Sequence, residues 1–155
     1  MGKRKSKYTP GGFALRVGRA ATGRGLFALE DIPRGACILE YVGRTVSAAE
    51  AKRDRGRYLF EVNAKKTIDG NVRENLARYI NHSCRPNCEA LGPRDRVFIF
   101  SRRAIKAGEE LCYDYGGEYF DRFIGPARCR CPKHGARRAA LRNKKTGPWR
   151  ARSDR

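Results

Sequence analysis

The sequence predicts a mostly-β domain carrying one or two short helices. Three observations lead there. Short runs rich in β-branched and aromatic residues recur along the chain, glycine and proline turns punctuate them, and a well-formed helix start occurs once. Phe13-Ala-Leu-Arg-Val17 alternates apolar and polar residues, the period of a half-buried strand. Gly23 and Gly25 mark a backbone turn. Leu26–Leu29 and Cys37–Val42 read as strands joined by the turn at Pro33-Arg-Gly35. Ser47-Ala-Ala-Glu50 is a capping box, so a short helix is expected from Ala48 to about Asp54. Tyr58–Val62 and Thr67–Asp69 are further strands, the second ending at Gly70-Asn71. Glu74–Ile80 suggests a helical turn. Arg96–Ser101 is strongly β, and a turn at Lys106-Ala-Gly108 precedes a strand at Leu111–Tyr113. Periodicity does not give the topology, and no internal repeat is visible.

The 155 residues suffice for one domain with a core. No stretch approaches the run of about 18 apolar residues that spans a membrane. The basic start Met1–Tyr8 has no apolar run behind it, so it is not a secretory signal. A soluble, intracellular protein with no membrane partner is expected. The formal charge is +19. Residues 1–8 carry four basic and no acidic residues; residues 137–155 carry eight basic residues and one acid. Such blocks are either solvated tails or arms for a polyanion. DNA, RNA and ribosomes fit the second reading equally. Six cysteines stand at positions 37, 84, 88, 112, 129 and 131. Inside a cell these would be reduced thiols, and Cys37 and Cys112, within apolar segments, are assigned to the core.

Two stretches carry the chemistry. Asn75-Leu-Ala-Arg-Tyr-Ile-Asn-His-Ser-Cys-Arg-Pro-Asn-Cys88 sets Asn81-His82-Ser83 beside apolar and aromatic residues. Glu109-Glu-Leu-Cys-Tyr-Asp-Tyr-Gly116 places Tyr113 and Tyr115 around one aspartate. A surface loop has no need of that mix; a pocket holding a polar cofactor and an amine in a partly dry environment does. With Gly23-Arg-Gly-Leu-Phe-Ala28, Ile38-Leu-Glu-Tyr-Val-Gly43 and Tyr58-Leu-Phe60, these stretches resemble the SET domain, in order and with short gaps, over residues about 12–120. That is the family of S-adenosylmethionine-dependent protein lysine methyltransferases. The resemblance implies small curved sheets around a knot-like core, in which a C-terminal segment passes beneath an earlier loop, an exception to the rule against threading. With the composition of the ends, the chain divides into a flexible basic arm (1–12), a SET domain (13–120), a post-SET-like element with a candidate degenerate zinc site (121–136) and a basic tail (137–155).

The resemblance also implies roles. Methyl transfer to lysine requires a neutral amine held in line with the methyl–sulfur bond. A dry channel and a neighbouring sulfonium charge both lower the ammonium pKa. Asn81 and the His82 backbone would hold the cofactor, with Arg78 and Tyr79 alongside. Arg24, Gly25 and Leu26 would contact its methionine part, glycine allowing close backbone approach. Taken alone, the glycine pair reads as a tight turn, and Asn81 and His82 as braces of one. Tyr115 is the catalytic candidate, orienting the amine and accepting weak hydrogen bonds from the polarised methyl group. Tyr113 matches a Phe/Tyr switch position, where a hydroxyl takes up room and limits the product to mono- or dimethyllysine. Tyr41, Tyr58 and Phe60 match the lysine-channel aromatics, Tyr41 also standing with the catalytic group; core packing is the other reading. Glu61 would either meet the substrate or be solvated, and Asp114 is structural.

A structural zinc element is the open part. The family's Cys-x-Cys-x4-Cys run plus the signature cysteine is met by Cys84, Cys129 and Cys131, but Ala136 stands at the last position. His134 would complete a Cys3His set; otherwise the thiols are ordinary and Tyr119, Phe120 and Phe123 close the site by packing. The expected substrate is a basic, nucleic-acid-associated protein of histone, histone-like or ribosomal type, because two cations repel unless a polyanion lies between them. The enzyme would be a monomer, working in a nucleus or in a cytoplasm with a nucleoid. The competing reading is a nucleic-acid-binding module that kept the fold and lost catalysis.

Overall fold

The computed structural model describes residues 2–53, 58–116 and 129. In chain order, its elements are β1 (Leu15–Ala20), β2 (Gly23–Ala28), β3 (Cys37–Tyr41), β4 (Arg44–Val46), α1 (Ala48–Arg53), β5 (Leu59–Asn63), β6 (Lys66–Asp69), a 3-10 turn (Leu76–Tyr79), β7 (Asn81–His82), β8 (Cys88–Leu91), β9 (Val97–Ser101) and β10 (Cys112–Tyr113). The mostly-β expectation holds. The strands form four small sheets: β1–β2, β3–β9–β8 and β4–β6–β5, all antiparallel, and the parallel pair β7–β10.

The strand β9 explains where the core lies. All five of its residues are buried. Alternation sends Val97 and Ile99 into the main core, with Leu26, Ile38, Ile105 and Leu111. Phe98 and Phe100 point the other way, into a second cluster with Cys37. Tyr8, from the basic N-terminal segment, covers that outer face, its ring 5.5 Å from Phe98 and 5.9 Å from Phe100. The Gly11 amide then donates to the Cys37 carbonyl at 2.9 Å. Burying each phenylalanine stabilises the fold by about 2 kcal/mol, so β9 is held from both sides.

The capping box forms as expected. The Glu50 amide donates to Ser47 Oγ at 3.1 Å, and the Ser47 amide to Glu50 Oε2 at 3.3 Å. The expected extension of α1 to Asp54 lies outside the described residues. The first hairpin departs from expectation. Its turn is Ala21–Thr22, not Gly23–Gly25. Gly23 opens the returning strand at φ 117°, and Gly25 lies inside β2, opposite Gly18. Three strands were not foreseen: β4, β7 and β8. The first two have three residues and two, too few for a period, and β8 runs out of a stretch read for its chemistry. Cys112 is half-buried instead of core, while Cys37 is buried as expected, and so are Cys88 and Cys129. The alternation of β10 turns Tyr113 inward and Cys112 partly outward.

The segment Glu109–Tyr115 is threaded. On one side it bonds β2: Ala28 N–H to Glu109 O at 2.9 Å and Leu111 N–H to Leu26 O at 2.8 Å. On the other it pairs with β7, Cys112 opposite Asn81 and Tyr113 opposite His82, and the Ser83 amide donates to Tyr113 O at 3.1 Å. This is the knot-like core, and it brings the two signature stretches together. Among the described residues no helix is long and apolar enough to cross a membrane.

Candidate functional site

Two buried asparagines fix the threaded segment and its surroundings. Asn87 donates from Nδ2 to Glu110 O at 2.8 Å and accepts the Cys112 amide at Oδ1, 2.9 Å away. Asn75, fully buried, donates to Gly70 O at 3.0 Å and accepts the Val42 amide at 3.2 Å. Each carboxamide serves one backbone donor and one backbone acceptor, which satisfies polar groups that burial would otherwise penalise. A side chain at Gly70 would put its Cβ 2.5 Å from both Asn75 Nδ2 and Tyr41 Oη, so only glycine fits.

The aromatic residues form a line. Ring centroids are 5.2 Å apart for Tyr41 and Phe60, 6.2 Å for Phe60 and Tyr113, and 4.9 Å for Tyr113 and Tyr115. The imidazole of His82 follows at 5.4 Å from Tyr115. Tyr115 donates its hydroxyl proton to the Ile80 carbonyl. Its lone pairs therefore face away from that carbonyl. Tyr41 donates to Tyr58 O at 2.7 Å. The Tyr58 ring stands apart from the line: Arg78 lies over it at 5.4 Å. Glu61 is exposed on β5. Asp114 accepts the Gly116 amide at 2.9 Å, closing a turn, as a structural role requires.

The residues expected near a cofactor converge on β7 and β2. Asn81 Nδ2 donates to Arg24 O at 2.9 Å and to Glu110 Oε1 at 2.8 Å. Both carboxamide protons are thus engaged within the protein, and Oδ1 is the atom a ligand's donor would meet. Gly25 has its own reason: a Cβ there would stand 2.6 Å from Glu110 Oε1 and 2.9 Å from Ala20 Cβ. Leu26 is in the core, and its carbonyl is taken by Leu111; the Arg24 side chain is exposed. Arg78 lies over Tyr79 at 4.7 Å, donates to Tyr79 Oη at 2.7 Å and to Asn71 Oδ1 at 3.0 Å, and keeps a buried Nε without a partner. Glu110, Asn75 and Asn87 are the site residues that sequence reasoning did not assign. The doubled glutamate before Leu111 was the available signal for the first.

A candidate metal centre lies directly beside the aromatic line. His82 Nε2 is 3.2 Å from Cys84 Sγ, and Cys84 Sγ is 4.0 Å from Cys129 Sγ. All three ligand atoms lie within 4.8 Å of one another. The Tyr115 amide donates to His82 Nδ1 at 3.1 Å, so in the neutral ring the proton sits on Nε2, facing Cys84. That tautomer suits a hydrogen-bond donor to a thiolate, and Nε2 also lies close enough to both thiols to count with them as a candidate ligand atom. Two adjacent thiols with such a donor fit a thiolate zinc site. The other two expected ligands, Cys131 and His134, lie outside the described residues, as do Tyr119, Phe120 and Phe123.

The threaded core, the Asn81–His82 strand and the flanking tyrosines define a class that comparison with known proteins makes explicit. The SET-domain family pattern matches residues 23–116. This chain belongs to the SET-domain family. Over 123 residues it is 42% identical to histone-lysine N-methyltransferase ASHH1 of Arabidopsis thaliana, covering 70% of this chain and 24% of that protein. Over 111 residues it is 38% identical to histone-lysine N-methyltransferase 2D of Homo sapiens, covering 64% of this chain and 2% of that protein. Among solved structures it is similar to the crystal structure of KRYPTONITE in complex with mCHH DNA, H3(1-15) peptide and SAH, with a TM-score of 0.60 and 36% identity over 68% of this chain and 24% of that one. The chain therefore spans about a quarter or less of the length of these proteins.

Proposed function

We propose that this chain is an S-adenosylmethionine-dependent protein-lysine N-methyltransferase acting on a basic, nucleic-acid-associated protein. The observation that carries the reading is the unbroken line Tyr41–Phe60–Tyr113–Tyr115, ending where β7 and β10 pair beside Asn81 and His82. An aromatic wall suits both parts of a lysine side chain: its faces attract the cationic head and its apolar surface covers the methylene stem. Free lysine titrates near pH 10.4, so the amine must lose its proton before attack, and a water-poor aromatic channel favours the neutral form. Tyr115, its proton committed to Ile80 O, presents lone pairs to an amine or a polarised C–H. Tyr113, nearly buried against it, adds the bulk that would hold the product at mono- or dimethyllysine.

S-adenosylmethionine, when bound, supplies the activated methyl group. Arg24, Gly25, Leu26, Arg78, Tyr79, Asn81 and His82 would hold it, Asn81 through Oδ1 and the β2 segment through its backbone. Arg78, whose buried Nε has no partner, sits between Tyr58 and Tyr79 as a rigid cation at the edge of that site. Cys84 and Cys129, with Cys131 and His134, would hold a zinc ion that braces the C-terminal element. The similar proteins are named as histone-lysine methyltransferases, and one was solved with DNA and an H3 peptide, which supports a histone-like substrate and work at chromatin or a nucleoid. The +19 charge supports nucleic-acid contact through the basic tails. A monomer suffices, since every residue of the aromatic line comes from one chain.

The test is incubation of the purified chain with labelled cofactor and a whole-cell extract, then mass spectrometry of the labelled proteins. Label on a basic nucleic-acid-bound protein, as mono- and dimethyllysine, is expected. Tyr115→Phe should lower kcat by about 100-fold, the lower end of what a positioned acid–base or hydrogen-bonding group contributes. Failure to bind cofactor at millimolar concentration would leave only the nucleic-acid-binding module. Mostly trimethyllysine would remove the role given to Tyr113.

A further inference from the structure

One surface stands apart from the aromatic line. The loop Ser83–Asn87 and the end of β9 are joined by a 2.8 Å bond from the Arg102 amide to Asn87 O. Between them lies an open depression of about 450 Å³, lined by Cys84, Arg85, Pro86, Arg102 and Arg103. Three of its five lining residues are arginines, and Pro86 is its one carbon-only side chain. A ligand there would meet guanidinium heads set among their own methylene stems and Pro86, so charge and guanidinium hydrogen bonds would orient it.

The three arginines differ usefully. Arg103 is fixed: its guanidinium donates to both Glu109 oxygens, at 2.9 and 3.2 Å, and to Ala104 O at 2.8 Å. Hydrogen bonding from Arg103 holds the Glu109 carboxyl below its ordinary range. Arg85 and Arg102 are exposed, and among the described residues neither has a carboxylate at ion-pair distance. The Pro33–Gly35 turn, which carries a further exposed arginine, Arg34, bonds the same strand end through Gly35 N–H to Ser101 O. The backbone under this patch is thus rigid, while two cationic heads remain uncompensated. Uncompensated guanidinium groups on a fixed frame suit phosphate oxygens, which accept bidentate hydrogen bonds and repeat along a chain.

We infer that the Arg85–Arg102–Arg103 depression is a binding site for the phosphodiester backbone of a nucleic acid. It deepens the nucleic-acid part of the proposed function by placing one contact on the folded domain, next to Cys84, in addition to the basic tails. A site at this position would hold the domain on the polyanion to which its basic substrate is bound. Contacts to phosphate would position the domain without reading base sequence.

The test uses the full chain, tails included. Binding to a labelled 20-base-pair DNA duplex and to a 20-nucleotide RNA is followed by fluorescence anisotropy across a salt series. Arg85→Ala/Arg102→Ala should weaken binding by about tenfold at moderate salt. It should also reduce the slope of log K against log salt by roughly two for the duplex, as expected for two lost phosphate contacts. Preference for one probe then identifies the source of the phosphates. Arg19→Ala/Arg44→Ala removes the same charge from exposed positions on β1 and β4. Equal weakening by that pair would show a net-charge effect and overturn the site. So would an unchanged slope in the first variant, or competition by polyglutamate as strong as by nucleic acid. Cofactor affinity and methylation of a nucleic-acid-bound basic peptide are read in parallel. Their loss in the unmodified chain would sink the enzyme reading while leaving the salt-slope result to stand by itself.

Discussion

The sheet β3–β9–β8 and the threaded segment Glu109–Tyr115 are neighbours held by different forces. The central strand of the sheet is buried on both faces by Val97, Phe98, Ile99 and Phe100. The threaded segment buries Leu111 and Tyr113 in the same core but is fixed in addition by directional bonds: Asn87 to Glu110 and Cys112, Ser83 to Tyr113, Leu26 to Leu111 and His82 to Tyr115. Apolar burial is non-directional and graded with area, so the sheet can lose a little and relax. A buried hydrogen bond is met or unmet, and an unmet one leaves a desolvated group behind. The site lies on the second kind of structure, which suits the proposed methyl transfer, a reaction that needs groups held to fractions of an ångström.

The sharpest way to break this comparison is Asn87→Ala. It orphans the Cys112 N–H and the Glu110 carbonyl together, and at about 1–3 kcal/mol per unsatisfied buried group the loss should be about 2–6 kcal/mol. Urea denaturation measures it. Cofactor affinity should fall as well, since Glu110 also receives Asn81. A loss under about 1 kcal/mol would mean that water or a shifted strand replaces the carboxamide, and the contrast between the two regions would fail.

Cys88 sits on the seam of the two regions and gives a second, pH-dependent test. Burial pushes its thiol up to about 12, opposed by the Cys112 backbone and the Arg103 charge. The folded pKa thus lies above the unfolded value of 9.0. Below pH 9 the thiol is neutral in both states and no stability is lost. Between pH 9 and about 12 only the unfolded chain releases the proton, so stability falls by about 1.4 kcal/mol per unit. Cys88→Ala removes that dependence. Comparing the variant with the parent at pH 8 and pH 10.5 should show the parent losing about 2 kcal/mol more across the interval. Parallel pH curves would place Cys88 in contact with solvent.

The two regions also differed in how far the sequence revealed them. β9 and the Ser47–Glu50 cap were legible because their signals are local: four β-formers in a row, and two residues three apart. The hairpin was legible in its strands but not its turn, since Gly25 serves contact with Glu110 and not a reversal of the chain. The pairing of Asn81–His82 with Cys112–Tyr113 has no local signal. It joins residues about thirty positions apart, in two-residue strands that show no period. The aromatic residues of the site were legible as residue types, and Tyr58 turning to Arg78 was not, because a tertiary contact decides that direction. Asn75 and Asn87 stayed hidden for the same reason: a carboxamide's role depends on which backbone passes beside it.

The smallest expected effect separates the regions most cleanly. Ile99 is fully buried at the centre of β9, and Ile99→Val removes one methylene without touching a hydrogen bond. The cost should be about 1 kcal/mol, within the usual range for this exchange, and it should appear as a lower urea midpoint with an unchanged slope. Cofactor affinity and kcat should stay at the parent values, because the lost contact is graded and the bonds that position Tyr113 and Tyr115 are intact. Applying Ile99→Val and Asn87→Ala together sharpens the point. If burial and carboxamide bonding act independently, the two losses add to within about 0.5 kcal/mol, whereas a larger interaction energy would mean that the sheet itself helps to aim the threaded segment.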